Sequence, residues 1–215
     1  YIFLLNPDTI CHDNSIKILL DNLKADHTIG VIGPNLINAD SNPTHSFRRA
    51  GDGIITELNF SLFGLPYKAL YGNNFEFNHS GKQIEVAYSC GAAMMMKRET
   101  FEKVGGFDES FFMYYEDQDL CNRIKKTGLK IVNEPTAIIQ HLEGTSIRLN
   151  SKREKFIIQS RKKYFLKTMP FWHFKVANIL TKFFLLIGEF IYTLCGKKEL
   201  AEKYSCRRKL ISEYE

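Results

Sequence analysis

The acidic pair Glu116–Asp117 is the part of this 215-residue chain whose residue types and spacing point most directly to chemistry. The surrounding pattern predicts a helix over Glu116–Thr127 that ends at Gly128. At about 100° per residue, Asp117 falls at the centre of the apolar arc of this helix, which is formed by Leu120, Cys121 and Ile124. A carboxylate that faces the protein interior needs a partner or a chemical role.

Two interpretations of Asp117 stay open on geometry alone. It is either a first-turn acid that accepts free backbone N–H groups or a functional carboxylate. The preceding run GGFDESFFMYYED favours function, because a Gly-Gly turn, an acidic pair and five aromatic residues are typical of a rigid approach loop. Asp119 lies on the other side of the helix, where we expect an ordinary exposed pair with Arg123 one turn on.

The elements that must position this pair begin with an α/β unit. The apolar run YIFLL predicts a buried parallel strand that opens onto Asn6-Pro7-Asp8. A helix over His12–Lys24 and a strand over Thr28–Ile32 complete a βαβ unit. The candidate helix caps are Asp13, Asn14 and Ser15, and the expected inward face is Ile16, Leu19, Leu20 and Leu23.

Downstream, the segment Asn38–Phe77 is rich in turn residues and predicts a long variable loop with short helical pieces. Strands and one short helix follow it. The predicted strands are Gln83–Tyr88, Ala92–Lys97, Leu129–Asn133 and Thr136–Gln140, and the helix is Glu99–Val104.

Five motifs lie in order along about the first 150 residues. They are LLNPDT at Leu4–Thr9, GVIGP at Gly30–Pro34, SCGAAMMMKRETF at Ser89–Phe101, GGFDESFFMYYEDQDLCNR at Gly105–Arg123 and IIQHLEGTS at Ile138–Ser146. Together they resemble an inverting family 2 glycosyltransferase of the GT-A fold, and most closely its bacterial rhamnosyltransferase-like branch. Each motif alone would be weak; their combination is specific.

The resemblance implies a mostly parallel GT-A-like sheet flanked by helices. It also implies transfer of a sugar, such as rhamnose from dTDP-rhamnose, from a nucleotide-diphosphate donor to a glycan or lipid-linked acceptor in cell-wall or polysaccharide biosynthesis. Because the chain begins at Tyr1 inside a predicted strand, we expect it to lack the leading βαβ units that hold most of the nucleotide pocket. The fragment alone is therefore expected to be inactive.

The resemblance places a metal and diphosphate site after the first strand. The DXD-type motif of the family is here Asn6-Pro7-Asp8, so Asn6 lies at the donor and only Asp8 can hold a divalent cation directly. His141 resembles the histidine that completes this site, and the EGTS run at Glu143–Ser146 supports that assignment over a structural histidine. Mg²⁺ or Mn²⁺ is the expected ion, with diphosphate oxygens and water as its other ligands.

The same resemblance, together with its inward direction, makes Asp117 the general base for the acceptor hydroxyl. A single displacement would then invert the anomeric centre without a covalent nucleophile. Glu116 is expected to contact the acceptor or to hold Asp117.

Two further groups are candidates for substrate binding. Gly91, Ala92 and Ala93 form either a small-residue floor under the donor sugar or a plain bulge before a strand. Arg48, with its neighbour Arg49, either pairs with a diphosphate or is an ordinary solvated arginine of a loop.

Composition indicates a globular protein, with 44% hydrophobic and 25% charged residues. The five cysteines are odd in number, scattered and without a CxxC pair. This pattern argues against a disulfide framework and a zinc site and favours a reducing compartment.

The charge is distributed unevenly. Residues 1–150 hold 14 Lys/Arg against 18 Asp/Glu, a net charge of −4, whereas residues 151–215 hold 15 against 6, a net charge of +9. We therefore expect the C-terminal part of a GT-A catalytic domain over 1–150 and a basic, amphipathic helical tail over 151–215. The tail predicts helices over Ser151–Met169 and Trp172–Cys195.

The second tail helix is apolar around most of its circumference but carries Lys182 and Glu189 inside. It therefore suits the interface of a membrane better than a span. The alternative is a helix that packs on the catalytic domain or on a second copy. We expect a cytoplasmic protein, peripheral to the inner face of the cell membrane, with no nucleic-acid partner and with homo-oligomers allowed.

Two other classes compete with the enzyme. One is a non-catalytic, membrane-associated partner or inactive glycosyltransferase-like fragment, which the Asn6 in place of an acid would suit. The other is a metal-dependent nucleotidyltransferase or phosphohydrolase, which would have no need of the GGFDE…ED approach loop.

Overall fold

The structure, a computed structural model, describes residues 1–12, 14–51, 56, 59, 65–142 and 151–214. The strands are β1 (Ile2–Leu5), β2 (Thr9–Cys11), β3 (Ile29–Ile37), β4 (Phe47–Arg48), β5 (Ile84–Glu85), β6 (Tyr88–Ser89), β7 (Ala93–Met96) and β8 (Lys130–His141). The helices are α1 (Ser15–Ala25), α2 (Leu65–Tyr71), α3 (Arg98–Lys103), α4 (Glu116–Lys125), α5 (Ser151–Thr168), α6 (Phe171–Leu194) and α7 (Lys198–Glu213).

The chain divides into two compact units. The first takes its described residues from Tyr1–Gly51, Tyr71–Phe111 and Glu116–Arg148 and contains the main sheet. The second takes them from Asp52–Leu70, Phe112–Tyr115 and Leu149–Glu215 and contains α5, α6 and α7. The predicted division at residue 150 stays a prediction.

The main sheet is mixed. Its strand order is β1-β7-β3-β8-β2, and β5 pairs with β8 as well. Since β7 is antiparallel to both β1 and β3, and β3 is parallel to β8, the strands β1, β3 and β8 all run in one direction. β2 and β5 run antiparallel to β8. The predicted α/β architecture is therefore observed, with three parallel strands as its frame.

β1 differs from expectation in its neighbour. It pairs antiparallel with β7, with Leu5 opposite Ala93, and it is only partly buried. The prediction of a buried parallel strand is wrong here, because an apolar run marks a strand but does not identify the strands beside it. The predicted βαβ unit still exists, since β1 and β3 are parallel and β7 is inserted between them.

α1 buries a narrower face than its sequence predicts. Leu19 and Leu23 are fully buried against the sheet, whereas Ile16 is 46% exposed. The correction concerns the first turn only, where the helix has just begun.

The start of α1 is fixed by Ser15 rather than by a side-chain cap. Asn14 has a left-handed φ of 64° and makes no capping hydrogen bond. The buried hydroxyl of Ser15 instead donates to the Ile138 carbonyl at 2.7 Å, which ties the helix to β8. Asp13, another candidate cap, lies outside the described residues.

β8 is one strand of 12 residues where two were predicted. Its register against β3 jumps, because Pro34 lies opposite Glu134 but Asn35 lies opposite Ile138. Pro135 lies within the jump and has no N–H to donate to a sheet. The predicted interruption is thus real, but it is an irregularity in a continuous strand.

A buried asparagine network spans this irregularity. The Asn35 side-chain amide donates to the Asn78 carbonyl at 2.9 Å, and the Asn78 amide donates to Asn133 Oδ1 at 3.0 Å. Asn133 in turn donates to the Pro34 carbonyl at 2.8 Å. Because all three side chains are paired, the network stabilises the junction rather than leaving buried polar groups unsatisfied.

The segment predicted as a long variable loop contains β4 and α2 in its described part. β4 pairs with β6 to form a separate two-stranded sheet, whereas β5 joins β8. The predicted strand Gln83–Tyr88 is therefore two short strands with different partners, and a contact across about 40 residues of chain cannot be read from local periodicity.

In the second unit, α5, α6 and α7 share an apolar cluster formed by Ile158, Leu185 and Ile211. α5 and α6 confirm the two helices predicted for the tail, to within a residue at each end. α7 is not among the predicted elements. An ion pair between Arg207 and Glu154, at 2.9 Å, joins α7 to α5.

Two glycines of the GVIGP motif allow close approach to β3. A Cβ on Gly30 would lie 2.5 Å from Ile124 Cγ2 of α4, and one on Gly33 would lie 1.9 Å from Ser89 Oγ. The motif is therefore required by packing: α4 and β6 reach the sheet only where β3 has no side chain.

We predict that Gly33→Ala lowers the free energy of unfolding by about 1–3 kcal/mol, because Ser89 must move to admit the methyl group. Denaturant unfolding measures the change. Gly51→Ala is the matched control, since a Cβ at Gly51 meets nothing within 4 Å. If the double variant Gly33→Ala/Ser89→Gly regains the free energy of unfolding that Gly33→Ala loses, the clash with Ser89 is the cause. A double variant that loses as much as Gly33→Ala would contradict this explanation.

Candidate active site

The predicted site residues of the first unit lie at one edge of the sheet. β1, β3 and β8 end there, at Leu5, Ile37 and His141, because the three strands run in the same direction. β7 runs the opposite way and begins there, at Ala93. Ligands of open α/β sheets bind outside the carboxyl ends of the parallel strands, so this edge is the expected place for a site.

Asp117 is anchored to this edge by two backbone N–H groups. Its Oδ2 accepts from the Gly91 N–H at 2.8 Å, and its Oδ1 accepts from the Gln118 N–H at 2.8 Å. A Cβ at Gly91 would lie 3.0 Å from the Asp117 Cβ, so the approach depends on glycine. Leu120, Cys121 and Ile124 are fully buried, as the arc predicted.

Burial raises the pKa of Asp117 above its ordinary value, although part of the residue remains accessible to solvent. The two N–H donors and the positive charges of His45 and Arg48 oppose this rise. A desolvated carboxylate with oriented donors and nearby cations has the character expected of a general base. It is also consistent with a first-turn acid, because the Gln118 N–H belongs to the helix itself.

Arg48 lies next to this carboxylate through the β4–β6 pair. It is 8% exposed, lies opposite Tyr88 in the pairing, and its guanidinium lies 5.0 Å from the centre of the Tyr88 ring. The Cys90 N–H, one residue before Gly91, donates to the Ser46 carbonyl at 2.9 Å. The alternative of a solvated loop arginine is therefore wrong for Arg48, since β4 buries it on Tyr88.

A histidine that sequence analysis did not single out extends this group. His45 Nε2 lies 2.6 Å from the Tyr88 hydroxyl, and His45 Nδ1 lies 3.3 Å from Glu76 Oε2. No local signal marks His45, because its partner Tyr88 is 43 residues away in the chain. Only the pairing of β4 with β6 brings the two together.

Glu116 is the second acid at the start of α4. Burial raises its pKa, and the negative charge of Asp117 contributes to that rise. Its Oε2 is buried and finds no hydrogen-bond partner among the described residues. An acid in this state is available to a ligand hydroxyl, which fits the predicted contact with an acceptor.

Two other side chains of α4 have structural explanations. Asp119 pairs with Arg123 at 2.7 Å as predicted, but Asp119 is 1% exposed, so the expectation of an exposed pair is wrong. Arg123 NH1 also donates to the Val104 carbonyl at 2.5 Å, which explains why the Arg123 side chain is held against the protein. Burial raises the pKa of the Cys121 thiol to about 12, so Cys121 is unsuited to act as a nucleophile.

Asp8 and His141 come together at the far end of the same edge. Asp8 Oδ1 lies 3.4 Å from His141 Nε2, and the Asp8 carbonyl accepts the Leu142 N–H at 2.9 Å. The pairing of β2 with the end of β8 sets Thr9 opposite His141 and so fixes the contact. The Asp8 side chain is 50% exposed and that of His141 is 7% exposed.

A carboxylate and an imidazole at this separation fit two ligands of one divalent cation. In the described part of the chain, no group of three or more His, Cys, Asp or Glu side chains could hold a metal ion. Asp8 and His141 would supply two ligands, and donor oxygens or water would fill other positions. Glu143–Ser146 lie outside the described residues.

Gly91 and Ala92 connect the two ends of the site. The Gly91 N–H binds Asp117, and the next residue, Ala92, accepts the Asn6 N–H through its carbonyl at 2.9 Å. Ala92 and Ala93 are 3% and 1% exposed and pack with Leu36 and Ile139 in an apolar cluster. These two side chains therefore fill the core, so any floor under a sugar would be formed by backbone at this position.

The segment before Glu116 has an unusual backbone. Tyr114 and Tyr115 are consecutive non-glycine residues with left-handed φ angles of 67° and 69°. Such conformations cost on the order of 1 kcal/mol or more each and persist only where neighbours hold them. Within the second unit, Ser160 Oγ donates to the Met113 carbonyl at 2.7 Å, and the Tyr115 ring lies 5.4 Å from that of Tyr164.

The structure thus joins Asn6, Gly91, Ala92 and Asp117 by hydrogen bonds and pairs Asp8 with His141. Glu116 and Arg48 border Asp117 electrostatically. Arg49 is placed differently, with its guanidinium 5.4 Å from the Tyr71 ring centre.

The chain is similar in sequence to known glycosyltransferases. A family model described as the N-terminal domain of galactosyltransferase matches residues 73–145. The N-acetylglucosaminyl-diphospho-decaprenol L-rhamnosyltransferase of Mycobacterium tuberculosis is 29% identical over 150 residues, which is 68% of this chain and 48% of that protein. Rhamnosyltransferase WbbL of Escherichia coli is 27% identical over 136 residues, or 61% of this chain and 48% of that protein.

Among solved structures, GalNAc-T7 with UDP, GalNAc and Mn²⁺ superposes with a TM-score of 0.50 and 14% identity, over 98% of this chain and 39% of that one. At that identity, the likeness concerns the fold. The chain spans about half the length of the two rhamnosyltransferases it matches.

The fold is GT-A-like, as the motifs predicted, and the relatives that match the chain in sequence are glycosyltransferases. Rhamnosyltransferases of two bacteria are among these relatives, which confirms the resemblance to the rhamnosyltransferase-like branch of family 2.

We predict that Asp117→Asn changes the pH dependence of stability. Because the folded-state pKa of Asp117 is raised, the folded protein binds more protons than the unfolded chain above about pH 4, and its stability falls as pH increases through that interval. The variant lacks this loss, so its free energy of unfolding should gain on the wild type as pH rises from about 4 towards neutrality.

Denaturant titrations of both proteins across this pH range measure the difference. Glu99→Gln, which neutralises an exposed acid of α3, should stay close to the wild type throughout. A difference between Asp117→Asn and wild type that is constant with pH would contradict the burial of this carboxylate.

Proposed function

We propose that this chain carries the acceptor-side and metal-side residues of an inverting glycosyltransferase that transfers a hexose, such as rhamnose, from a nucleotide-diphosphate donor. The observation that carries the proposal is the continuous connection from Asp117 through the Gly91 and Ala92 backbone to Asn6, close to the pair Asp8–His141. This connection supports the proposal, because a base at Asp117 and a diphosphate-binding group at Asp8–His141 would lie on one edge of one sheet.

Asp117 is proposed as the base. The acceptor hydroxyl oxygen attacks the anomeric carbon while the bond from that carbon to the diphosphate oxygen breaks, and the hydroxyl proton passes to the Asp117 carboxylate. Attack opposite to the leaving group inverts the configuration in one step. The two N–H groups that hold Asp117 fix its orientation, so little reorganisation is needed during the reaction.

Glu116 and Arg48 are proposed to support this step. The unpartnered buried oxygen of Glu116 is available to an acceptor hydroxyl. Arg48, stacked on Tyr88, lowers the pKa of Asp117 through its charge and so favours the carboxylate form that a base requires. The sequence suggested that Arg48 contacts a diphosphate. Because Arg48 is stacked on Tyr88, that contact requires the diphosphate to approach Tyr88.

Asp8 and His141 are proposed to hold a divalent cation, Mg²⁺ or Mn²⁺, together with donor oxygens. When bound, the cation would neutralise the negative charge that develops on the departing diphosphate. The half-exposed Asp8 leaves this position open to a ligand, whereas the buried His141 is fixed by β8.

The acceptor is proposed to be a glycan or a lipid-linked diphosphate sugar, in line with the decaprenol-linked acceptor in the name of the M. tuberculosis relative. The protein would then act at the cytoplasmic face of the membrane as a peripheral enzyme. The basic second unit supports this location, because anionic headgroups attract clustered lysine and arginine residues.

We predict that Asp117→Asn in the full-length protein lowers the turnover number for transfer from dTDP-rhamnose by about 10²–10⁴-fold, the usual contribution of a general base. Donor binding should be unchanged, because Asp117 faces the acceptor hydroxyl. Product formation and calorimetric binding of the donor are the two measurements.

Glu99→Gln serves as the control for that experiment, since Glu99 is exposed and lies on α3, after β7 has left the edge that carries the site. Undiminished turnover in Asp117→Asn would refute the assignment of the base. The absence of any binding of nucleotide sugar with Mn²⁺ to the full-length wild type would instead favour a non-catalytic, membrane-associated partner.

We predict that His141→Ala lowers, by at least about tenfold, the gain in nucleoside diphosphate affinity that Mn²⁺ produces. The reason is that one of the two proposed protein ligands is lost. Calorimetry with a nucleoside diphosphate, with and without Mn²⁺, measures this independently of turnover. His27→Ala is the control, because His27 is exposed and lies before β3, at the opposite edge of the sheet. Equal Mn²⁺ dependence in both variants would contradict the proposed site.

A further inference from the structure

α6 in the second unit is apolar on more than the side that it buries. The side packed against its neighbours carries Phe174, Ala177 and Leu185 together with two polar residues, Asn178 and Thr181, and none of the five is more than 9% exposed. Arg161 of α5 donates to Asn178 Oδ1 at 2.6 Å, so this buried amide oxygen is satisfied. Helices of soluble proteins normally confine their apolar residues to the buried stripe.

Close packing holds this buried side of α6 against α7. A Cβ at Gly188 would lie 2.4 Å from Tyr204 Cε1, so α7 approaches α6 where the side chain is missing. Glu189, the next residue, pairs with Arg208 of α7 at 2.9 Å. The small and polar residues of α6 are therefore committed to contacts with α5 and α7.

The opposite side of α6 is apolar and open. Six large side chains, each at least half exposed, lie within about 80° of one another at 100° per residue and extend along about 33 Å of helix; they are Trp172, Ile179, Phe183, Leu186, Phe190 and Leu194. A continuous exposed patch of this kind indicates an interaction site rather than scattered surface residues.

Charge distinguishes between the possible occupants of this face. Lys175 and Lys182 border the apolar arc on one side. Two of the acids in this unit, Glu154 and Glu189, are already paired with Arg207 and Arg208. Since residues 151–215 carry 15 Lys/Arg against 6 Asp/Glu, pairing with a second copy would bring two basic surfaces together, whereas an anionic surface would be complementary.

None of the described helices combines the length and the uniform apolarity that are needed to span a bilayer. A helix with one apolar face, basic residues at its margin and a tryptophan near one end is typical of segments that lie in the plane of the interface.

We propose that the outward face of α6 is a lipid-binding surface that lies in the headgroup region of an anionic bilayer. This inference deepens, and rests on, the peripheral membrane location in the proposed function. It names the contact: apolar side chains from Trp172 to Leu194 enter the acyl boundary while Lys175 and Lys182 meet lipid phosphates.

Vesicle co-sedimentation of the full-length protein tests the proposal. We expect binding to vesicles of phosphatidylcholine with phosphatidylglycerol and weak binding to phosphatidylcholine alone, because the basic margin requires anionic lipid. Phe183→Ser/Phe190→Ser should lower binding to the anionic vesicles by at least about tenfold, since two apolar side chains no longer enter the boundary. Lys175→Gln/Lys182→Gln should reduce the preference for anionic lipid.

Leu166→Ser on α5 is the matched control, because Leu166 is 44% exposed but belongs to another helix. Thermal unfolding of each variant verifies that the helices still form. Binding of Phe183→Ser/Phe190→Ser equal to that of wild type, or no binding of wild type to either vesicle, would overturn the proposal. A lipid-free dimer that the same double change dissociates, seen by analytical ultracentrifugation, would assign the face to a second copy.

Transfer to a water-soluble acceptor analogue separates this inference from the proposed function. If the lipid contact is wrong but the enzyme assignment holds, transfer to the soluble acceptor persists without vesicle binding. If the enzyme assignment fails, vesicle binding can be measured alone.

Discussion

The hydrogen bond from the Gly91 N–H to the Asp117 carboxylate is the interaction on which the candidate site depends. It joins the start of α4 to the turn between β6 and β7, and it is possible only because Gly91 has no side chain. The same turn binds Ser46 through Cys90 and Asn6 through Ala92. One short piece of backbone therefore fixes the acid, the buried Arg48 strand and the Asn6-Pro7-Asp8 segment relative to one another.

The two acids at the start of α4, Glu116 and Asp117, lower the stability of the folded protein when they are ionised. Burial raises the pKa values of Asp117 and Glu116, which means that their ionised forms are less well solvated in the folded protein than in water. Neutral residues of similar size would avoid that cost, so two adjacent, partly buried acids favour the proposed functional role over a purely structural one. The cost is limited because Arg48 and His45 add positive charge, and because two N–H groups hold Asp117.

Much of this site follows from the sequence because helical periodicity is local. The inward direction of Asp117 depends only on the residues of its own helix, and Leu120, Cys121 and Ile124 are buried as that period requires. The convergence of Asp8 with His141 also follows from their shared position after strands, combined with the family motifs.

Other features depend on contacts between distant parts of the chain, which no local pattern encodes. The insertion of β7 between β1 and β3 made YIFLL a partly exposed strand with an antiparallel neighbour. The pairing of β4 with β6 buried Arg48 and brought His45 to Tyr88. Asp119 was expected on the surface because its helix face is polar, but Val104 and Arg123 cover that face.

The buried asparagine network has a consequence for how this protein can diversify. Asn35 and Asn133 belong to the sheet, and together they hold Asn78, which closes the segment that leaves β3 at Ile37. Asn35 and Asn78 thereby hold the two ends of that long excursion to the framework. Insertions and deletions between β4 and Asn78 are therefore expected to leave the carboxyl edge of the sheet in place, because loops tolerate changes in length better than the elements that they connect.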